Sequence, residues 1–97
     1  MIQSFFDQGT EDVFNGRNSK TARRTCPTNL KRIAIRKLEQ LDSVESLEDL
    51  RIPPGNRLEA LRGARNGQYS IRINDQYRIC FIWRDGGPEQ VEITDYH

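Results

Sequence analysis

Apolar and polar positions alternate differently in the two halves of the chain, with a helical period first and a period of two later. Met1 to Phe6 is a short apolar stretch that predicts a strand. Thr10 is placed to cap a brief helix running through Phe14, with Gly16 ending it. From Arg17 to Thr28 the residues are polar and basic without apolar periodicity, which predicts a mobile connection. Leu30, Ile33, Ala34, Leu38 and Leu41 then recur at helical spacing behind Pro27, a residue suited to a first helical turn. Ile35 lies off that stripe. Lys31, Arg32, Arg36 and Lys37 fall largely on the other faces, the pattern of a helix with one core face and a basic solvated side. Ser43 or Ser46 suits the cap of a second short helix carrying Leu47 and Leu50, with Glu48 and Asp49 in its first turn.

Pro53-Pro54-Gly55 excludes helix and forces a turn. Beyond it, Leu58 and Leu61 mark a first short strand, and Gly63 and Gly67 bound a basic turn. Gln68 to Asn74 and Tyr77 to Arg84 read as a hairpin about Asp75-Gln76. Asp85-Gly86-Gly87-Pro88 is the next turn, and Gln90 to Tyr96 the last strand. Strands that follow one another through short turns pair antiparallel. The expected fold is therefore α+β: one domain over residues 1–97, with an antiparallel sheet of about four strands and two to three helices packed on one face.

Composition sharpens this picture. Of 97 residues, 35% are hydrophobic and 30% charged, so the core must be thin and one-sided. A chain this small buries only roughly 60 to 65% of its unfolded surface, which leaves the second sheet face to carry function. No apolar run approaches the roughly 20 residues that cross a bilayer, and the opening residues are too short and mixed for a signal peptide. Cys26 and Cys80 fit a reducing cytoplasm better than a disulfide framework, with Cys80 a small buried hydrophobe. One histidine in the whole chain argues against a metal site, so neither metal nor cofactor is expected.

The net charge of +1 conceals a pattern. Every charge between Val13 and Leu38 is basic, and every charge from Glu39 to Asp49 is acidic. From Arg51 to Arg84 the charges are seven Arg, no Lys, and the two acids Glu59 and Asp75. Guanidinium presents a planar fork of donors that matches phosphate oxygens, so this segment points either to nucleic-acid contact or to a solvated face of scattered ion pairs.

Asp95-Tyr96-His97 places three side chains able to move or orient protons at a strand end. The meander brings Arg78, Arg72 and the Leu58–Arg62 stretch nearby. RNA can be cut without metal through its own 2′-hydroxyl, provided the protein accepts that proton, neutralises the phosphorane-like charge and protonates the leaving oxygen. Arg62 and Arg78 suit the charge, Tyr96 and His97 the protons, and Asp95 the orientation of a ring or guanidinium. Ordinary readings stand beside these. A terminal His is often a solvated end, Arg78 alternates outward as any polar strand residue would, and Arg72 is placed to pair with Glu92 across the sheet.

Nearly the full chain resembles HigB toxins, the plasmid-maintenance-system killer proteins of the RelE/ParE superfamily. The resemblance is carried by the Met1-Ile2-Gln3-Ser4-Phe5 opening, the Pro53-Pro54-Gly55-Asn56-Arg57-Leu58 turn and the Gly67-Gln68-Tyr69-Ser70-Ile71-Arg72 strand. The Asn74-Asp75-Gln76-Tyr77-Arg78-Ile79 hairpin and the Asp95-Tyr96-His97 ending complete it. It implies a compact RelE-like fold and a cofactor-free, ribosome-dependent endoribonuclease of the bacterial cytoplasm that enters the ribosomal A site and cuts mRNA. It also implies a HigA-type helix-turn-helix antitoxin as partner, with DNA reached only through that antitoxin and no membrane contact. Carried over, Tyr96, His97, Arg78, Arg62, Asp95 and Glu59 are the catalytic candidates, and Arg57, Arg65, Arg72 and Asn74 the RNA-binding ones. Two positions depart from relatives: Glu59 stands where they carry His, and Asn74 where they carry Arg at the strand end. Glu59 then serves either as a general base or, the favoured reading, as the partner of Arg62. The rival functions are a ParE-like inhibitor of DNA gyrase without nuclease activity and a non-catalytic module that only binds nucleic acid.

Overall fold

The period-two half of the chain folds into one antiparallel sheet, and the helical half covers one side of it. The computed structural model describes residues 1–95. Three α-helices, α1 (Gln8–Phe14), α2 (Lys20–Thr25) and α3 (Lys31–Ser43), precede four strands. The strands are β1 (Glu59–Ala60), β2 (Tyr69–Arg72), β3 (Tyr77–Arg84) and β4 (Gly87–Asp95), in the spatial order β1-β2-β3-β4.

Register sorts the side chains into two faces. Ile71, Ile79 and Ile93 stand opposite one another across the three long strands, as Tyr69 does with Phe81. These belong to the core, where Ala34, Leu38 and Leu41 of α3, Val13 of α1 and Ala22 of α2 join them. Burying such apolar surface contributes about 25 cal/mol per Å², and the helical layer supplies nearly all of the cover. The alternate rows, Ser70–Cys80–Glu92 and Arg72–Arg78–Thr94, lie on the other face.

Several expectations need correction. Met1 to Phe6 is no full strand: it runs parallel along β4 through the single bridge Phe5–Val91. Gln3 N–H donates to the Pro88 carbonyl (2.8 Å) and Val91 N–H to that of Ser4 (3.1 Å), so this segment covers the sheet edge. Met1 passes so close to Gly87 (φ 121°) that an added Cβ would lie 2.5 Å from the Met1 carbonyl oxygen. At Gln90 (φ 53°) β4 bulges against β3, and the Gln90 N–H donates to Ser4 Oγ at 2.9 Å. β4 therefore begins earlier than alternation suggested, at Gly87.

Asp7, not Thr10, caps α1, accepting from Thr10 N–H at 2.7 Å. Thr10 is fully buried, and its hydroxyl accepts the Ile93 N–H at 3.0 Å, tying α1 to β4. Residues 17–28 are not a bare connection, since they hold α2, capped by Ser19. No apolar rhythm reveals α2, because Ala22 is its one buried residue. It is anchored by polar contacts to α1 instead. Asp12 accepts from Ser19 Oγ (2.6 Å), Thr21 Oγ1 (2.8 Å) and Gln8 Nε2 (2.9 Å), and Gly9 lets the Thr21 carbonyl approach to within 2.8 Å of where a Cβ would sit. On α3, Ile33 lies at the margin of the buried stripe and is 37% exposed, whereas Ile35 packs against the core.

Ser46 does cap the next turn, Leu47–Arg51, with a reciprocal bond from its backbone N–H to Asp49. Asn56, wholly buried, then fastens the proline turn to α3. Its Nδ2 donates to the Leu50 carbonyl and Gln40 Oε1 (both 3.1 Å), and its Oδ1 accepts from Lys37 Nζ.

Two outcomes are expected. Thr10→Val strands the buried Ile93 N–H and lowers stability by about 1–3 kcal/mol in urea unfolding, while Thr10→Ser retains the bond and most of the stability. The hydroxyl of Ser19, then Gln8 and Thr21, hold the Asp12 carboxyl below its ordinary value. A carboxylate depressed by folding stabilises at neutral pH, and that stabilisation fades as pH falls below about 4, through the folded value. Thermal unfolding between pH 7 and 3 should therefore show a shallower acid limb in Asp12→Asn than in the unaltered chain. Coincident limbs would contradict this.

Candidate functional site

On the face away from the helices, arginines meet carboxylates among the described residues. Arg78 Nη1 lies 3.2 Å from Glu59 Oε1, Arg65 Nη1 3.1 Å from Glu92 Oε1, and Arg84 Nη1 2.9 Å from Glu89 Oε1. Arg72 pairs with Asp75. Two expected pairings are thereby corrected: Glu59 meets Arg78 rather than Arg62, and Glu92 meets Arg65 rather than Arg72. Register explains both. Glu59 stands opposite Ser70, one row from Arg78, and Arg72 is carried toward the hairpin end, beside Asp75.

Exposure separates these pairs. The Glu92 side chain is 17% exposed and that of Arg65 30%, so their contact is part of the fold. Asp75 is 95% exposed and Glu59 51%, so each can swing into water at little cost. Arg78 stays in place without Glu59, because it is only 18% exposed and donates to Ser70 Oγ at 2.9 Å. It also reaches the Arg57 carbonyl at 3.4 Å, which the left-handed backbone of Arg57 (φ 47°) presents. The middle of this face is thus a fixed guanidinium with a displaceable counter-ion.

The remaining candidates divide. Arg57 and Arg62 are exposed beside the site and form no side-chain hydrogen bond or ion pair among the described residues. Asn74 spends its Oδ1 on the hairpin turn, accepting from Gln76 N–H (2.9 Å) and Tyr77 N–H (2.7 Å), a task Arg cannot perform. Asp95 stands opposite Tyr77, on the side of β4 away from Arg78, and accepts from Gln76 Nε2 at 2.9 Å. Tyr96 and His97 lie outside the described residues.

Residues 3–97 match the family described as RelE-like toxins of the type II toxin-antitoxin system HigB. The chain belongs to the HigB-like toxin family. It is 51% identical to Toxin HigB-1 of Vibrio cholerae serotype O1 over 63 residues, covering 65% of this chain and 66% of that protein. An uncharacterized protein of Haemophilus influenzae is 46% identical over 59 residues, covering 61% and 58% respectively. The matched stretches thus span less than two thirds of those relatives. Among solved structures, YoeB in the YoeB-YefM complex from Staphylococcus aureus has a TM-score of 0.60 at 18% identity, covering 100% of this chain and 98% of its own. The YoeB dimer from the same organism gives the same score, covering 99% and 97%. These neighbours share the fold, a HigB-like α+β sheet with its helices on one side.

Sequence reasoning missed Ser70, which anchors Arg78, and gave Glu92 to Arg72 although it holds Arg65. Their signal was alternation: both fall in the Ser70–Cys80–Glu92 row of the HigB-like open face. Cys80, in that row, is no nucleophile, since burial pushes its thiol up to about 11. The pairs also predict a division of labour. Arg65→Ala should lower stability by about 1–3 kcal/mol in urea unfolding, because it leaves the largely buried Glu92 without this partner. Arg72→Ala should cost no more than about 1 kcal/mol, its pair being exposed on the Asp75 side. The reverse order would refute the assignment.

Proposed function

We propose that this HigB-like chain is the toxin of a type II toxin-antitoxin pair, cutting mRNA in the ribosomal A site without metal or cofactor. The observation that carries this reading is the fixed, partly exposed Arg78 on the sheet face away from the helices, flanked by Arg72 and by Glu59, which can move aside. A scissile phosphate takes the place of Glu59 on Arg78, with Arg57, Arg62 and Arg72 around it as further cations.

In the reaction the 2′-oxygen of the substrate bonds to phosphorus as its proton passes to a base. The bond to the 5′-oxygen breaks, and an acid returns a proton to that leaving group. Arg78 stabilises the charge that grows on the non-bridging oxygens. Tyr96 and His97 are the proton carriers in this proposal; Tyr96 comes two positions after Thr94, the residue paired with Arg78. DNA lacks the 2′-hydroxyl and is not cut. Glu59 acts as counter-ion rather than base. The neutralising partner is a HigA-type helix-turn-helix antitoxin, in keeping with the family and with a structural neighbour solved together with YefM.

Primer extension on ribosome-bound mRNA tests the proposal. Arg78→Ala should slow cleavage about 100- to 1,000-fold, the scale of losing one preorganised donor to a developing oxyanion. His97→Ala should slow it at least about 100-fold, as for loss of a proton-transfer group. Glu59→Gln should stay within about threefold of the unaltered rate, whereas a catalytic base at that position would show about a 100-fold loss. Intact mRNA alongside gyrase-linked DNA breaks would transfer the chain to the gyrase-inhibitor reading, which none of the relatives and structural neighbours named above supports.

A further inference from the structure

Among the described residues, two other than glycine hold a left-handed backbone: Gln90 (φ 53°) and Arg57 (φ 47°, ψ 53°). Gln90 makes the bulge of β4. Arg57 belongs to no strand, and a residue with a Cβ adopts this region only where its surroundings impose it. Here the turn imposes it. Asn56 N–H donates to the Pro53 carbonyl (2.9 Å) and Arg57 N–H to that of Pro54 (3.1 Å). The Asn56 side chain is wholly buried, its Nδ2 on the Leu50 carbonyl and Gln40 Oε1 (both 3.1 Å) and its Oδ1 on Lys37 Nζ. Three residues on, Glu59 is already in β1, opposite Ser70. Between an asparagine pinned to α3 and a glutamate pinned to β2, the chain reverses within Arg57 and Leu58.

That reversal aims the Arg57 carbonyl at Arg78. The oxygen lies 3.4 Å from Arg78 Nη1, which also donates to Ser70 Oγ at 2.9 Å. A single acceptor leaves a planar guanidinium able to swing about that one hydrogen bond. Two acceptors on separate elements, one on β2 and one on the proline turn, fix its plane as well as its place. Glu59, the third acceptor at 3.2 Å, is half-exposed and gives no such support once it moves aside. A donor that must meet charge growing on a phosphate acts best when its direction is set beforehand.

We propose that the left-handed turn at Arg57, locked by Asn56, is a positioning device for Arg78, its carbonyl keeping the guanidinium aimed at the phosphate after Glu59 has left. Asn56 is thereby a positioning residue that acts through Arg57 and touches no substrate. The inference rests on the nuclease reading of this face and deepens it. It also gives Arg57 two separable parts: a side chain beside the site and a carbonyl behind it.

Arg57→Asn and Arg57→Val separate those parts. Both delete the guanidinium, but asparagine keeps a left-handed backbone and β-branched valine leaves it. Two quantities are measured on the full chain. One is single-turnover cleavage of ribosome-bound mRNA, resolved into maximal rate and half-saturating concentration. The other is rotation of the Arg78 guanidinium about Nε–Cζ in the free protein, followed by NMR with the signal assigned through Arg78→Ala. Both variants should raise the half-saturating concentration equally. Arg57→Val alone should also lose about three- to tenfold in maximal rate and rotate faster by a similar factor, the scale of one neutral hydrogen bond. Asn56→Ala, assayed where urea unfolding shows it folded, should match Arg57→Val in maximal rate and rotation at the unaltered half-saturating concentration. Equal maximal rates and equal rotation in the two Arg57 variants overturn the proposal, as does an Asn56→Ala that loses stability alone. If Asn56→Ala does not fold, the Arg57 pair decides by itself. Faster rotation in Arg57→Val with no cleavage even by the unaltered chain sinks the nuclease reading and supports the hold of Arg57 on Arg78.

Discussion

A chain in which only 35% of residues are hydrophobic can cover one side of a sheet and no more, and every other feature follows from that limit. The three isoleucines at positions 71, 79 and 93 and the fully buried Phe81 and Val91 claim the helices, above all the Ala34–Leu38–Leu41 stripe of α3. The second face is left with rows that cannot be apolar without aggregating. It is stabilised by the burial of Leu61, Ser70 and Cys80 and by arginine–carboxylate contacts that fix the side chains around them. A surface held in place this way is rigid, charged and open, which is what recognition of a phosphate backbone asks for.

The same economy governs the helices. α1 and α2 are too short and too polar to persist on propensity. They survive because Asp12, Ser19 and Thr21 form a closed polar cluster and because Gly9 lets the two backbones meet. α1 is anchored to the sheet by one hydroxyl, that of Thr10, accepting a backbone N–H of β4. Small polar contacts stand where a larger protein uses buried leucines.

Legibility tracked periodicity. α3 and the hairpin of β2 with β3 were readable because apolar spacing is dense there. Asp7 as cap and α2 as a helix were not, since both depend on polar contacts that carry no period. The arginine set was visible in the sequence as a charge bias, but its pairings were not. Those depend on register, and Glu59 meets Arg78 only because β1 lies antiparallel to β2 with Glu59 opposite Ser70. Asn74 looked like a missing positive charge, yet its side chain builds the turn that sets Tyr77 and Arg78 in register. Asp95 joined Tyr96 and His97 in sequence, but strand alternation sends it to the side of β4 opposite Arg78.

The glutamate at position 59 is best understood through the cost of holding Arg78. That guanidinium is four-fifths withdrawn from water and shares its face with Arg57, Arg65 and Arg72. Without a counter-charge it would bear both desolvation and repulsion from its neighbours. Glu59 removes that cost in the free protein, and a histidine, neutral or cationic, cannot. Under the proposed nuclease reading the compensation acts against function as well as for stability, because a phosphate reaching Arg78 would have to displace a carboxylate already in contact with it. Half-exposure of Glu59 keeps the exchange small: the carboxylate regains its hydration as the phosphate arrives, and Ser70 holds the guanidinium in place throughout. A buried glutamate would have locked the site, whereas one on a two-residue edge strand leaves it closed at rest and open to a stronger anion.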